Sequence, residues 1–246
     1  MAPRAKQPGR PQARTALLPF PRAQRSERRA HQRRPGRKPK GGVAGVSHRQ
    51  RQALTPRHPV HLTIKLRPGL PSLRRKPERT ALLAAFTAAQ QARSATSFRL
   101  CHYTVLNDHL HLMVEVEDRQ ALSRGIQGLL VRIARALNKL WHRRGTVFAD
   151  RYHDRVLKTP REVRNALQYV LHNAHHHAAE GRMVSAPHAI DLYSSAPWFA
   201  GFVEQITIRN LDAVPCPIRP ARTWLLGTGW KRLGLLPLAP PLASIA

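Results

Sequence analysis

The stretch Asn107–Val116 reads NDHLHLMVEV, in which leucine or valine occupies every second position. This alternation predicts a β-strand with one face buried and the other presented, because successive side chains of a strand point to opposite sides. His109 and His111 therefore point the same way. Two strand rises of about 3.3 Å separate them by roughly 6 to 7 Å, so both imidazoles can reach one divalent ion.

Similar patterns on either side predict three more strands. One begins at residue 58 and places apolar residues at every second position up to Leu66. The segment Ser97–Leu106 is mixed on both faces, which predicts a central strand. Asn107 and Asp108 favour a tight turn, so this segment should form a hairpin with the histidine strand. Residues 146–157 read as a short fourth strand with loops.

Two helices are predicted ahead of the fourth strand. The first has Pro77 near its first turn, and the second follows Asp118 as N-cap and ends at Gly145. The second helix has an apolar stripe and a basic side. The basic residues there and just beyond are Arg124, Arg132, Arg135, Lys139, Arg143 and Arg144. They form either a solvated face or a DNA-facing one, and the pattern leaves both readings open.

A third helix opens with Thr159-Pro160-Arg161-Glu162, a capping box with proline at the first helical position. Its apolar stripe runs from Val163 to Ala174. At 3.6 residues per turn, Tyr169 falls about 130° from the centre of that stripe, so it should not be a core residue. Asn173, one turn later, lies on the same side of the helix.

Composition predicts a polyanionic partner. The 246 residues carry a formal net charge of +29, and 34 of the 42 basic residues are arginines. Self-repulsion of that size is relieved by a polyanion, so nucleic acid is the first candidate. The arginine excess suits bidentate phosphate contacts but is equally explained by a biased genomic composition.

The charge and proline content divide the chain into three parts. Residues 1–57 are rich in proline and basic residues, contain one acid, Glu27, and are predicted to be a disordered basic leader. That leader is either an arm that grips DNA phosphates or an extended segment without a role. Residues 58–180 hold the patterned domain. Residues 181–246 are a C-terminal extension of unknown role, without a dependable periodicity.

The two cysteines, Cys101 and Cys216, lack C-x-x-C spacing. No secretory h-region and no apolar run of 18 residues is present in the sequence. We therefore expect a reduced, cytoplasmic location, with no membrane as a partner.

The patterned domain combines groups that can cleave a phosphodiester. A tyrosine oxygen can attack phosphorus if a bound divalent cation neutralises the phosphate charge. Two histidines and one amide oxygen would leave positions open for phosphate oxygens. Imidazole favours manganese or zinc over magnesium, whereas an oxygen-rich remainder of the sphere allows Mg²⁺, so Mg²⁺ or Mn²⁺ is expected.

Three motifs within residues 58–180 carry a family resemblance. They are NDHLHL at 107–112, GTVFADRY at 145–152 and YVLHNA at 169–174. This half of the chain resembles the single-tyrosine HUH transposases, and within them the REP-associated tyrosine transposases. The chain departs from the common pattern at Ala174, where family members usually have proline, and at Asp108, where a proline-like residue is frequent.

The resemblance implies a fold, a site and a substrate. The fold would be α+β, a ferredoxin-like antiparallel sheet with helices packed on it. Tyr169 would be the nucleophile that forms a 5′-phosphotyrosine link, and His109, His111 and Asn173 would bind the divalent metal. The substrate would be single-stranded or hairpin DNA in a bacterial cytoplasm, at the nucleoid. Arg151, in the second motif, joins the basic residues of the second helix as an expected DNA contact.

Two other functions fit the sequence. A degenerate or domesticated transposase that only binds DNA or RNA would keep the charge but would not need the trio His109, His111 and Tyr169. A metallohydrolase that uses a metal-bound water would not need Tyr169. The sequence leaves the oligomeric state open between monomer and homodimer.

Overall fold

The computed structural model describes residues 53–92, 96–179, 190–208, 211 and 214–238, without the side chains of 174–179. The leader predicted to be disordered lies outside the described residues up to position 52. From residue 53 the chain is described, and Leu54 is already buried in the core. Core packing therefore starts ahead of the strand predicted from residue 58.

Four strands form one antiparallel sheet. The elements in chain order are β1 (Val60–Lys65), α1 (Lys76–Gln91), β2 (Phe98–Val105), β3 (His109–Val116), α2 (Arg119–Leu140), β4 (His153–Val156), α3 (Pro160–Ala179) and α4 (Trp224–Gly227). The strand order is β2-β3-β1-β4, and every pairing is antiparallel. Up to β4 this is the βαββαβ arrangement of a ferredoxin-like fold, which confirms the predicted α+β class.

The helices begin where the sequence places their caps. Asp118 Oδ1 accepts the Ala121 N–H at 2.7 Å at the start of α2. At the start of α3, the Glu162 N–H donates to Thr159 Oγ1 at 3.2 Å, and the Thr159 N–H donates to Glu162 Oε2 at 3.1 Å. These reciprocal bonds satisfy amides that the first helical turn leaves without partners.

The first face of the sheet is the apolar one predicted for β3. Leu110, Leu112 and Val114 are fully buried there, against apolar residues of α1 and α2. Phe98 of β2 packs against Gly125 of α2, where a Cβ would lie 2.2 Å from the phenyl ring. We call this side of the sheet the α1/α2 face.

The opposite side carries His61, His109 and His111, and we call it the histidine face. The prediction that β3 presents this face was wrong, because every residue of β3 is buried. Helix α3 packs there together with described residues from position 190 onward, which we call the C-terminal segment. They form a second apolar cluster that includes Met113 and Trp230. The histidines are therefore enclosed between a sheet and a helix.

The predicted central position of β2 was also wrong, since β2 is an edge strand of the sheet. The edge of β2 that has no neighbouring strand instead forms backbone hydrogen bonds with the C-terminal segment. The Ser195 N–H donates to the Tyr103 carbonyl at 2.9 Å, and the Arg219 N–H donates to the Leu100 carbonyl at 2.8 Å. β2 reads as a central strand because these segments bury it as a neighbouring strand would.

The C-terminal segment thus has a structural part in the domain. Glu115 of β3 is buried, and its carboxylate accepts the N–H groups of Arg222 and Thr223 at 2.8 Å each. These bonds attach the chain just ahead of α4 to the histidine face. Within the described part of the chain, no helix combines the length and the apolar character needed to cross a membrane.

Candidate active site

His109 and His111 lie side by side on β3, as the alternation predicts. Their ring centroids are 4.9 Å apart in an edge-to-face arrangement. His111 is 2% exposed, and His109, at the start of the strand, is also buried. Because β1 pairs with β3 in register, Thr63 lies opposite His111 and Lys65 opposite His109.

Asp108 orients the His109 imidazole. Its Oδ1 lies 2.6 Å from His109 Nδ1. This hydrogen bond lowers the pKa of Asp108, and the carboxylate can only accept, so Nδ1 carries the proton. The other nitrogen, Nε2, then presents a lone pair. Asp108 is thus the hydrogen-bond partner of a candidate ligand.

His111 is held in the same manner by β1. Its Nδ1 lies 3.2 Å from His61 Nε2 and 3.1 Å from Thr63 Oγ1. Burial, together with the nearby Arg155 charge, lowers the pKa of His61 to about 4, so His61 is neutral at pH 7 and has one acceptor nitrogen. With its proton on Nδ1, His111 can donate to either neighbour and present Nε2 as a lone pair.

Tyr169 approaches the nitrogen that His111 leaves available. Its hydroxyl oxygen lies 3.4 Å from His111 Nε2, and the two ring centroids are 5.0 Å apart. Its ring also lies edge-on to His61 at 6.0 Å. Tyr169 is partly buried at the margin of the second apolar cluster. Its angular offset from the core stripe of α3 is what directs the hydroxyl at the histidines.

Asn173 lies one turn further along α3 and is 2% exposed. Its side-chain nitrogen has no hydrogen-bond partner among the described residues. A 180° rotation of the amide exchanges nitrogen and oxygen, and would place a metal-binding oxygen at the position that now lacks a partner. A buried amide whose nitrogen has no partner among the described residues is consistent with the ligand role expected for Asn173.

The donor set fits a divalent ion with a partly open coordination sphere. No group of three or more His, Cys, Asp or Glu side chains in the described residues could hold a metal ion. A metal at this site would therefore need the Asn173 amide beside the two imidazoles, with its remaining positions taken by substrate or water. Two nitrogens and one amide oxygen suit Mn²⁺ well and still allow Mg²⁺.

The other three tyrosines have packing contacts of their own. Tyr103 is buried and packs on Phe86 with centroids 4.8 Å apart. Tyr152 packs against the core cluster of the α1/α2 face. Tyr193 lies under the Arg74 guanidinium, 4.4 Å from its ring centroid. The Tyr169 hydroxyl, in contrast, lies 3.4 Å from a candidate ligand, His111.

Most of the basic residues predicted to bind DNA belong to α2. Helix α2 packs on the α1/α2 face, and it ends at Leu140, so Arg143 and Arg144 lie in the following loop. Arg132 donates to the Gly128 carbonyl at 3.0 Å, and Arg143 contacts the Thr146 carbonyl. The exposed ones are Arg124, Arg135, Lys139, Arg144 and Arg151. The α2 residues among them belong to the other side of the sheet.

Two residues that the sequence reading missed belong to the histidine face. His61 lies opposite Arg155 of β4, and that register places the guanidinium on the same face as the histidines. Arg155 also pairs with Glu162 at 3.4 Å, at the start of α3. The available signal was the period-two pattern of β1, which puts His61 and Thr63 on one side of the strand. Only the register shows that this side is also the side of His111.

Comparisons with known proteins find distant structural similarity. No family model and no curated protein sequence matches the chain. A solved structure of a REP-associated tyrosine transposase bound to a REP hairpin is similar over 56% of this chain and 76% of that one, with 15% identity and a TM-score of 0.45. A bacterial tRNA(His) guanylyltransferase (Thg1)-like protein in complex with GTP is similar over 55% and 73%, with 15% identity and a TM-score of 0.36. At this distance neither similarity bears on function.

Proposed function

We propose that the protein is a metal-dependent endonuclease and strand transferase of the transposase type, acting on single-stranded or hairpin DNA with Tyr169 as nucleophile. The observation that carries the proposal is the approach of the Tyr169 hydroxyl to 3.4 Å from His111 Nε2. A packing tyrosine has no need to direct its hydroxyl at a buried imidazole whose other nitrogen is already hydrogen-bonded.

The reaction exchanges one phosphate ester for another. The Tyr169 oxygen attacks phosphorus, a new bond forms between them, and the bond from phosphorus to the 3′ oxygen breaks. The phenol loses its proton to water, and the departing 3′ oxygen takes one up, so no net proton is consumed. The products are a 5′-phosphotyrosine and a free 3′-hydroxyl. Attack by a 3′-hydroxyl on that phosphotyrosine reverses the exchange and joins two strands.

The residues have distinct parts in this reaction. His109, His111 and Asn173 would hold a divalent ion that, when bound, neutralises the charge of the phosphate under attack. Asp108 keeps the proton of His109 on Nδ1 by accepting a hydrogen bond from it, and His61 or Thr63 accepts the hydrogen bond from His111 Nδ1. Arg155, on the same face, supplies positive charge for the phosphate. The tautomer of both imidazoles is thereby fixed so that each Nε2 lone pair can bind the metal.

The decisive experiment compares two conservative variants on labelled single-stranded hairpin DNA with Mn²⁺. Tyr169→Phe removes the hydroxyl and little else, so we expect no covalent adduct and no cleavage, with folding and DNA affinity near normal. Tyr152→Phe is the matched control and should retain most activity, since Tyr152 packs on the other face. A protease-sensitive adduct in the Tyr169→Phe reaction would refute the assignment.

One observation favours a second function, that of a nucleic-acid-binding protein without catalysis. The described residues offer two imidazoles and one amide, and no third His, Cys, Asp or Glu joins them as a ligand. A chain that has lost activity would keep its charge of +29 and bind DNA. In the same experiment it would bind the hairpin but form no adduct with either Mn²⁺ or Mg²⁺ in the wild-type protein.

A further inference from the structure

The C-terminal segment carries an exposed tryptophan, Trp224, directly after two residues that are bound to Glu115 near the end of β3. Glu115 accepts the N–H groups of Arg222 and Thr223, and the Thr223 hydroxyl caps α4 by accepting the Leu226 N–H at 3.2 Å. These bonds fix the position of Trp224, the next residue. Glu115 is six residues from His109 on the same strand face, or about 20 Å along β3.

Trp224 is held in place and yet exposed. It is 50% exposed, whereas Trp230 is buried and Trp141 and Trp198 are partly buried. One part of its ring packs so closely on Gly229 that a Cβ there would lie 2.7 Å away. The Arg232 guanidinium lies 4.9 Å from the ring centroid. The indole is thus held against Gly229 and Arg232, while half of the Trp224 residue surface remains exposed.

The surroundings of Trp224 are basic. An open cavity of about 550 Å³ lies beside the indole, lined by Pro56, Arg57, His58, Arg222, Thr223, Trp224 and Leu225. No carboxylate is among these lining residues. Arg57 and Arg222 thus line the cavity beside the indole, and the Arg232 guanidinium lies over the ring. Such a combination matches a phosphate chain that carries planar bases, because arginine pairs with phosphate and indole stacks on a base.

We propose that this surface binds single-stranded nucleic acid, with one base stacked on Trp224 and the adjoining phosphates at Arg57 and Arg222. A duplex is a poorer occupant, because its base faces are already covered by neighbouring bases. An acidic peptide would satisfy the arginines but would leave the indole without a stacking partner. The proposal deepens the proposed function, on which it rests for the choice of DNA as the nucleic acid.

The location of this surface suits a single DNA strand that contacts both Trp224 and Tyr169. A stacked strand advances about 3.4 Å per nucleotide, so roughly six nucleotides cover the distance of about 20 Å along β3. Trp224 would then hold the strand on one side of the phosphate that Tyr169 attacks. The α2 arginines, which lie on the other face of the sheet, are not needed for this contact.

The test measures binding of fluorescently labelled oligo(dT) by anisotropy, in EDTA so that no cleavage intervenes. Trp224→Ala should weaken binding roughly 5- to 150-fold, the usual range for losing one stacked base. Trp224→Phe should retain most of the affinity, because phenylalanine also stacks. Val131→Ala, which removes another exposed apolar side chain on α2, is the matched control and should bind as the wild type does.

Two further measurements complete the test. Arg222→Gln should lower the affinity and reduce the salt dependence by about one counterion. In the wild-type protein, oligo(dT) should quench tryptophan emission more than duplex DNA does, and Trp224→Phe should lose the quenched component. This second readout applies even if Trp224→Ala does not fold.

Unchanged oligo(dT) affinity in a folded Trp224→Ala protein would overturn the proposal. The same variant with altered self-association in size-exclusion chromatography would assign the surface to a protein contact and overturn it too. Failure of the proposed function would be separate: wild-type protein would then bind oligo(dT) through Trp224 and still form no tyrosine adduct with hairpin DNA.

Discussion

Removing the Asp108 carboxylate should weaken metal binding without disturbing the fold. In the structure this carboxylate accepts the His109 Nδ1 proton at 2.6 Å and thereby sets both the tautomer and the ring orientation of the ligand. Without it, the neutral imidazole can carry its proton on Nε2 and present the wrong nitrogen. Asp108→Ala therefore acts on the metal through His109.

The magnitude follows from the exposure of the pair. Loss of a hydrogen-bond partner behind a metal ligand typically costs 10- to 100-fold in metal affinity. The Asp108 side chain is 76% exposed, whereas that of His109 is 11% exposed, so water can replace part of the lost hydrogen bond. We therefore expect Asp108→Ala to lower the metal affinity about tenfold, at the lower end of the range. Asp108→Asn keeps an acceptor oxygen and should lose less.

The assay is isothermal titration of the full chain with Mn²⁺, supported by a thermal unfolding curve for each variant. Glu117→Ala is the matched control, because it removes one exposed carboxylate just past the other end of β3. Thermal stability should be similar in all three variants. Equal Mn²⁺ affinity for Asp108→Ala, Glu117→Ala and the wild type would refute the positioning role of Asp108.

Two predictions concern the fold around the site. Gly125→Ala should destabilise the protein by about 1 to 3 kcal/mol in urea denaturation, because the new Cβ would meet the Phe98 ring at 2.2 Å. The control is Gly128→Ala, whose new Cβ meets only the flexible end of Arg132, and it should be neutral or stabilising. Equal effects of the two substitutions on the free energy of unfolding would contradict the packing argument. Burial lowers the pKa of His102 to about 4, so between pH 6.5 and 4 the unfolded state binds a proton that the folded state does not, and stability should fall with decreasing pH by on the order of 3 kcal/mol from this residue. His102→Gln should flatten that pH dependence, and an unchanged slope would show that other groups cause it.

Local patterns were sufficient for the presence and order of the elements from β1 to α3, although the predicted bounds of β4 and the predicted end of α2 were too wide. The alternation in Asn107–Val116 predicts β3, and the Thr159 and Glu162 capping box predicts the start of α3. Side-chain direction in a strand or helix follows from the backbone dihedral angles of a few neighbouring residues. For that reason the common face of His109 and His111, and the offset of Tyr169 from its core stripe, could both be read from the chain.

Contacts between distant parts of the chain could not be read in this way. His61 lies 50 positions ahead of His111, and nothing local to either residue states that β1 pairs with β3 or in which register. The burial of the histidine face and the pairing of the β2 edge depend on a C-terminal segment without a regular pattern. Its contacts with the sheet include single hydrogen bonds, as at Glu115, rather than a repeated apolar spacing.

The sequence alone therefore determined most of the elements, the side chains that share a face within each of them, and the residue types that could hold a metal and attack a phosphate. The tertiary structure decided which of those residues meet: it placed the Tyr169 hydroxyl beside His111, added His61 and Asp108 behind the two imidazoles, and put the α2 arginines on the other side of the sheet. The physical reason is that periodicity is set by local backbone geometry, whereas register and packing depend on the complementary shape and hydrogen bonding of segments far apart in the chain.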